Sequence, residues 1–74
     1  MDINALVGKR ITQLRKRKKL SQQKFAYEAE VERSYLTHIE KGRKNISLAM
    51  LEKITKALEI SLHDFFDPTE LNKL

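Results

Sequence analysis

Apolar residues recur at intervals of three and four along most of this 74-residue chain. Leu6, Val7, Ile11 and Leu14 form the first stripe, which suits the buried face of a helix from about residue 3 to residue 18. The apolar-polar alternation typical of strands is almost missing, and the chain has only two Gly and one Pro. The pattern therefore predicts an all-α fold, built as a single domain over residues 1–74.

Two helices are predicted in the middle of the chain. Ser21 can cap the first of them, which ends near Glu30, because a serine hydroxyl can accept a hydrogen bond from a free N–H of the first turn. The next helix begins after Val31 and ends at Gly42, a residue suited to the left-handed conformation beyond a helix. Only about three residues, 30–32, join the two helices, so the second should be held outward at a steep angle.

Two further helices are predicted towards the end of the sequence. Ser47 can cap a fourth helix whose apolar stripe contains Leu48, Leu51, Ile54, Ala57 and Leu58. Ser61, with Asp64 three residues later, resembles a capping box that opens a short fifth helix. Pro68 is expected to end this fifth helix.

Positive charge is concentrated in the first part of the chain. Residues 1–44 contain twelve Lys or Arg against five acidic side chains, whereas residues 45–74 contain three against five. A basic front and a slightly acidic back indicate a polyanion on one side and a different partner, such as a second subunit, on the other. A merely solvated basic surface is the alternative that charge alone leaves open.

Several classes of protein are excluded by what the sequence lacks. Without cysteine, the chain can form neither a disulfide framework nor a thiolate zinc site. It has no Gly-rich phosphate loop, and its two histidines, His38 and His63, are isolated, so we expect no enzyme activity, catalytic residue, metal site or cofactor. No apolar run approaches the roughly 18 residues of a membrane span. We therefore expect a cytoplasmic, nucleoid-associated protein without membrane contact.

One face of the third helix is polar and rich in hydrogen-bond donors. At about 100° per residue, this face carries Arg33, Ser34, Thr37, His38 and Lys41, and the opposite side carries Tyr35, Leu36 and Ile39. Such a face is ordinarily solvated. Here basic residues flank it, and its side chains suit the base edges of a DNA major groove, since Arg can donate two hydrogen bonds to guanine.

Three consecutive segments carry a resemblance to a known family. They are Leu20-Ser21-Gln22-Gln23 through Phe25-Ala26, Val31-Glu32-Arg33-Ser34-Tyr35-Leu36, and Ile39-Glu40-Lys41-Gly42-Arg43-Lys44-Asn45. In this pattern the chain resembles the Cro/CI-type (XRE) helix-turn-helix transcription regulators, and more narrowly the controller proteins of restriction-modification systems. The resemblance implies a five-helix, lambda-repressor-like domain with its helix-turn-helix at about residues 21–41. It also implies binding of double-stranded operator DNA as a homodimer, with RNA polymerase as a further partner for an activator.

The resemblance also implies a role for each matching residue. Base-reading positions correspond to Arg33, Ser34, Thr37 and His38, and phosphate-binding positions to Gln22, Tyr35, Lys41, Arg43, Lys44, Asn45 and Ser47. Gln22 is expected to brace the start of the third helix as well, and Tyr35 lies either at the edge of the core or with its hydroxyl on a phosphate. Arg15 and Glu40 are expected to form a partly buried ion pair between the first and third helices.

The sequence departs from the family pattern at three positions. Glu30 stands where the family has Gly in the turn, so it must adopt any positive φ that the turn requires. Ile46 stands where Pro is frequent. Glu32 stands where Ser or Thr caps the third helix; its carboxylate either repels phosphate or accepts a cytosine amino proton.

Apolar residues near the end of the chain exceed what one small core needs. Residues of about 57–74 are therefore predicted to form the dimer interface, with candidate side chains Leu62, Phe65, Phe66, Leu71 and Leu74. Of these, Leu62 and Phe65 are expected to complete the core of the monomer, which leaves Phe66 and the last two leucines for the partner. The alternative function is an antitoxin or a protein-interaction module that uses the same fold.

Overall fold

The computed structural model describes residues 2–74, and these residues form helices and no strand. The helices are α1 (Ile3–Arg17), α2 (Gln22–Ala29), α3 (Arg33–Glu40), α4 (Leu48–Leu58), α5 (Leu62–Phe65) and α6 (Pro68–Leu71). The predicted all-α fold is confirmed, and α1 to α5 are the five helices that the sequence indicates. No helix in the described range is both long and apolar enough to cross a membrane.

Short polar side chains begin the helices where the sequence places them. The hydroxyls of Ser21, Ser47 and Ser61 each accept a hydrogen bond, at 3.0 to 3.1 Å, from the backbone N–H three residues later. The Asp2 carboxylate caps α1 in the same way, by accepting from the N–H groups of Asn4 and Ala5. These bonds satisfy N–H groups that have no partner inside the helix, and so fix where each helix begins.

Four helices end in the same backbone motif. Lys19, Glu30, Gly42 and Glu59 have φ values of 60°, 57°, 74° and 57°, which lie in the left-handed region. The residue after each of them donates its N–H to a carbonyl five residues back, as Val31 does to Ala26 at 3.0 Å. The positive φ expected at Glu30 is thus confirmed. α3 stops two residues before Gly42 rather than at it.

The core lies between α1, α2, α3 and α4 and is closed at one end by α5. Ile11, Phe25, Leu36, Ile54 and Phe65 are completely buried. Val7, Leu14, Ala26, Ala29, Ile39, Leu51 and Leu58 complete the cluster. α3 contributes two fully buried apolar residues to the core, Leu36 and Ile39, and its first residues, Arg33 and Ser34, are exposed.

α1 and the end of α3 approach each other unusually closely at Gly8. A Cβ atom at this position would meet the backbone carbonyl oxygens of Ile39 and Glu40, the latter at 2.8 Å. A second glycine, Gly42, would place a Cβ only 2.7 Å from Cα of Ala5. The two glycines therefore let the end of α3 lie directly on α1. The apolar spacing of α1 carries no signal for this contact.

The sequence prediction for Pro68 was wrong. α5 already ends at Phe65, and Pro68 instead begins α6, because proline is well suited to the first position of a helix.

The Glu70 carboxylate of α6 pairs with Arg17 and Lys73 and lies 3.6 Å from Arg10. The Lys73 ammonium and the Arg17 guanidinium lower the pKa of Glu70 from 4.5 to about 2. The last turn is thereby held against α1 by charge.

Candidate nucleic-acid interface

α2 and α3 are joined by residues 30–32 alone, as the sequence predicts. The left-handed Glu30 reverses the chain, and Lys53 of α4 donates from Nζ to the Glu30 carbonyl at 3.0 Å. This bond ties the turn to the body of the domain. α3 therefore projects from a fixed support, with Leu36 and Ile39 inward and its polar residues outward.

Arg15 and Glu40 meet where α1 contacts the end of α3. Nε and Nη2 of Arg15 donate to the two oxygens of Glu40 at 2.7 and 3.1 Å, in a bidentate arrangement. Nη1 of Arg15 donates to the carbonyl of Leu20 at 2.8 Å. Only 10% of the Arg15 side chain and 5% of the Glu40 side chain are exposed. The pair therefore anchors α3 to α1 from the interior.

Gln22 links this ion pair to the outer surface of α3. Its Nε2 donates to Glu40 at 2.9 Å, and its Oε1 lies 3.1 Å from the hydroxyl of Thr37. The sequence predicts bracing at the start of α3, whereas Gln22 braces its middle and its end. An amide nitrogen has two protons. The half-buried Gln22 thus has a second N–H that can be donated to a phosphate.

The four residues assigned to base reading differ in how exposed they are and in whether they form hydrogen bonds within the protein. Arg33 and Ser34 are exposed at the start of α3, and Thr37 and His38 are half-buried one turn later. The Thr37 hydroxyl lies 3.0 Å from the carbonyl of Arg33 as well as close to Gln22, so its proton is engaged within the protein. We call Arg33, Ser34, Thr37 and His38 the reading face. It is continuous, and its donors and acceptors are suited to base edges.

Basic and polar side chains of the loop after α3 lie beside the reading face. Lys41, Arg43, Lys44 and Asn45 are exposed. The Asn45 side chain accepts from Asn4 of α1, which fixes the loop to the start of the chain. The Ser47 hydroxyl accepts from the N–H of Met50, which leaves its own proton available for a further hydrogen bond. Asn4 was missed because a polar residue in a first turn gives no sequence signal.

Tyr35 lies at the edge of the core, which is one of the two roles that the sequence left open. Its ring is half-buried and packs on the edge of the core. The Lys44 ammonium lies 5.8 Å from the ring centroid, within reach of a cation–π contact. The ring thus holds the Lys44 side chain of the loop close to α3. Binding of a phosphate by the hydroxyl remains a proposal.

Glu32 occupies the cap position of α3 without acting as a cap. Its backbone is extended, as a cap requires, but its side chain accepts no hydrogen bond from the first turn. The carboxylate is exposed beside the start of the reading face. The start of α3 is therefore held by the turn and the core rather than by a capping side chain.

The predicted dimer residues are placed differently from one another. Phe65 is completely buried beneath α5, so it belongs to the monomer core, as expected, and is removed from the candidates for the interface. Leu62, expected in the core, is 53% exposed, and Phe66 is 37% exposed. The ring of Phe66 packs edge-on against Phe65, with centroids 4.9 Å apart. Leu71 is half-buried, and Leu74 borders a groove with Lys9, Gln13 and Lys16 of α1.

Two helices joined by a three-residue turn, with the second helix held outward and flanked by basic loops, define a helix-turn-helix protein. The chain belongs to this family, since the helix-turn-helix family model matches residues 11–65. Its resemblance to Cro/CI-type regulators is thereby confirmed. No group of three acidic or histidine side chains within residues 2–74 is placed to hold a metal ion.

Restriction-modification control proteins are among the similar proteins. The chain is 39% identical over 71 residues to the control protein C.BamHI of Bacillus amyloliquefaciens, covering 95% of this chain and 88% of that protein. It is 41% identical over 70 residues to the control protein C.MunI of a Mycoplasma species, covering 93% and 95%. The crystal structure of the controller protein C.Esp1396I, a tetramer in complex with its natural 35 base-pair operator, matches with a TM-score of 0.83 and 33% identity. That match covers 95% of this chain and 90% of the controller chain.

Proposed function

We propose that this protein is a sequence-specific regulator of transcription that binds an operator in double-stranded DNA as a homodimer and controls a restriction-modification operon. The observation that carries the proposal is the placement of the reading face on a helix locked from behind by the Arg15 and Glu40 ion pair. A rigid helix of this kind can enter a major groove with its side chains already oriented. The likeness to control proteins supports the choice of operon.

Phosphate binding falls to the residues around the reading face. Gln22 and Ser47 each have a free proton beside α3, and Lys41, Arg43 and Lys44 supply exposed positive charge. Asn45, fixed by Asn4, and the hydroxyl of Tyr35 complete the set. These contacts would set the register of α3 on the duplex, whereas the reading face would select the sequence.

Binding should depend steeply on salt. If each monomer contacts about three to five phosphates, a dimer should show a slope of log K against log salt of roughly −5 to −9, because each contact releases condensed counterions. Titration of fluorescent duplexes at several salt concentrations measures this slope. A flat response would show that the basic surface does not bind DNA.

The two kinds of contact should respond differently to substitution. We expect Arg33→Ala to lose about 1 to 3 kcal/mol on the cognate site and to relax the preference at one base pair. Lys44→Ala, a matched loss of one exposed charge, should weaken binding to all sequences alike. Competition with single-base variants of a site selected from random duplexes separates these effects. An equal loss on every duplex for Arg33→Ala would remove Arg33 from base reading.

Two copies are required because one helix-turn-helix covers only half of a site. Two-fold dimers place their α3 helices one turn of the duplex apart, roughly 34 Å. We place the dimer interface within residues of about 57–74 and centre it on Leu62 of α5 and on Phe66, which directly follows α5; both are apolar and exposed. The basic front of the molecule would repel its copy. Leu62 and Phe66 lie within residues 45–74, where acidic side chains outnumber basic ones, so this repulsion is weaker there.

Phe66→Asp should leave the monomer folded and raise the dimer dissociation constant, because a charge would then be buried against the partner. Cooperative occupancy of a palindromic operator should be lost with it. The control is Tyr27→Asp, which changes a 79% exposed aromatic residue on α2. Sedimentation equilibrium measures both variants. A Phe66→Asp protein as dimeric as the parent would place the interface elsewhere.

A further inference from the structure

Arg10 is a charged side chain in a position where charge is costly. It lies in α1, and only 2% of the residue is exposed, whereas the apolar residue Leu62 of α5 is 53% exposed. Burying a guanidinium is tolerated only when its donors are satisfied. Nothing in the sequence distinguishes Arg10 from the other basic residues of α1, since it lies one residue before the buried Ile11 in a helix rich in Lys and Arg.

The donors of Arg10 are directed mainly at α5. Nε donates to the carbonyl of Phe65 at 2.7 Å, and Nη2 donates to the carbonyl of Asp64 at 2.6 Å. Nη1 donates to Oε1 of Gln13 at 2.7 Å and lies 3.6 Å from Glu70. The guanidinium carbon is 6.0 Å from the centroid of the Phe65 ring. Arg10 thus holds the backbone at the end of α5 through two adjacent carbonyls.

α5 cannot fix its own orientation. It has four residues, and a helix so short forms too few internal hydrogen bonds to be stable by itself. The orientation of α5 is set by the burial of Phe65 in the core and by the two hydrogen bonds from Arg10. Leu62 and Phe66, which flank these contacts, share the same short segment and therefore take their positions from it.

We propose that Arg10 is a positioning residue for self-association: by clamping the carbonyls of Asp64 and Phe65, it sets the angle at which Leu62 and Phe66 meet a second copy of the chain. The inference rests on the dimer contact proposed above. A guanidinium is required because its rigid fork reaches two carbonyls at once, whereas an ammonium is a single point of charge.

Arg10→Lys is the test, and Arg17→Lys is its matched control. Both arginines contact Glu70, but only Arg10 contacts α5. We expect Arg10→Lys to raise the dimer dissociation constant about tenfold or more, as the loss of a charge-assisted hydrogen bond implies. Arg17→Lys should change it by about twofold at most, because that pair is half exposed. Sedimentation equilibrium is run at a temperature where the circular dichroism of each variant equals that of the parent.

Hydrogen exchange and covalent tethering separate positioning from general stability. In Arg10→Lys, exchange should accelerate at the amides of Phe65 and Phe66 and stay unchanged in α3. Joining two Arg10→Lys copies by a flexible linker should restore occupancy of the palindrome, since tethering replaces the lost dimer affinity with a high effective concentration. Unchanged exchange in α5, or no recovery on tethering, would overturn the inference.

Two further variants test whether α6 mediates the effect and provide a measurement if Arg10→Lys does not fold. Glu70→Gln keeps both bonds from Arg10 to α5 and should dimerise like the parent; a loss as large as that of Arg10→Lys would show that α6, not α5, mediates the effect. Where Arg10→Lys does not fold, Gln13→Ala removes a side chain that orients Nη1 and should raise the dissociation constant in the same sense. An unchanged constant for Gln13→Ala would then count against the inference. If Phe66→Asp dimerises like the parent, the proposed interface itself fails.

Discussion

Glu40→Ala should lose about 3 to 5 kcal/mol of unfolding free energy, because it leaves the guanidinium of Arg15 buried without its carboxylate. The same substitution removes the acceptor of Gln22 and so loosens the phosphate contact. Urea unfolding at fixed protein concentration measures the stability, and DNA titration measures the affinity. We expect both to fall, with the stability loss dominating.

The double variant Arg15→Met with Glu40→Leu is the control for this prediction. Removing both charges and keeping the side-chain volume should recover much of the lost stability, since neither partner is then left uncompensated. DNA affinity should recover less, because Gln22 still lacks its acceptor. A loss of unfolding free energy below about 1 kcal/mol for Glu40→Ala is what an exposed ion pair would give. Such a result would contradict the prediction and would show that water replaces the carboxylate at Arg15.

Gly8→Ala should also be strongly destabilising, by about 3 kcal/mol. Alanine is normally better than glycine in a helix by about 1 kcal/mol, so an ordinary site would gain stability. Here the added methyl group would meet the carbonyl oxygens of Ile39 and Glu40, which are backbone atoms and cannot rotate away. Extra atoms in such a tightly packed contact force the backbone to shift. The end of α3 should shift away from α1 and strain the ion pair.

Lys9→Ala, at the exposed neighbouring position of α1, is the control for Gly8→Ala. It should leave the unfolding free energy within about 0.5 kcal/mol of the parent. Thermal unfolding of both variants, combined with DNA binding at a temperature where both are folded, tests the prediction. A Gly8→Ala protein as stable as the parent would mean that α1 and α3 can separate without loss.

The sequence predicted those features that depend on local rules. Apolar spacing located α1 to α4, and serine caps located three helix starts, because both signals lie within a few residues. The positive φ at Glu30 was expected from the family resemblance, in which Gly occupies this position of the turn. Pro68 was misassigned because proline both ends one helix and begins another, and composition does not distinguish the two.

Contacts between distant residues were harder to predict. The partner of Arg10 is the backbone of α5, and a backbone carbonyl leaves no trace in the sequence. Gly8 resembles any helical glycine until α3 is placed beside it. Leu62 was expected in the core but is exposed, because a helix of four residues is too short for its apolar spacing to define a buried face. The assignments of base and phosphate contacts came from the family resemblance and stay predictions.

The hydrogen bonds behind α3 divide its outer positions into two kinds. Thr37 is tied through Gln22 to Glu40, so changing it disturbs the scaffold. Arg33 and Ser34 are exposed and belong to no such chain of bonds. If the proposed function holds, substitutions at these two positions should change the operator preference with little loss of stability, whereas Thr37 is restricted to residues that preserve the link. The outer side of α3 thus contains positions that can be exchanged, Arg33 and Ser34, and one that the scaffold constrains, Thr37. Related regulators should therefore diverge first at the positions of Arg33 and Ser34.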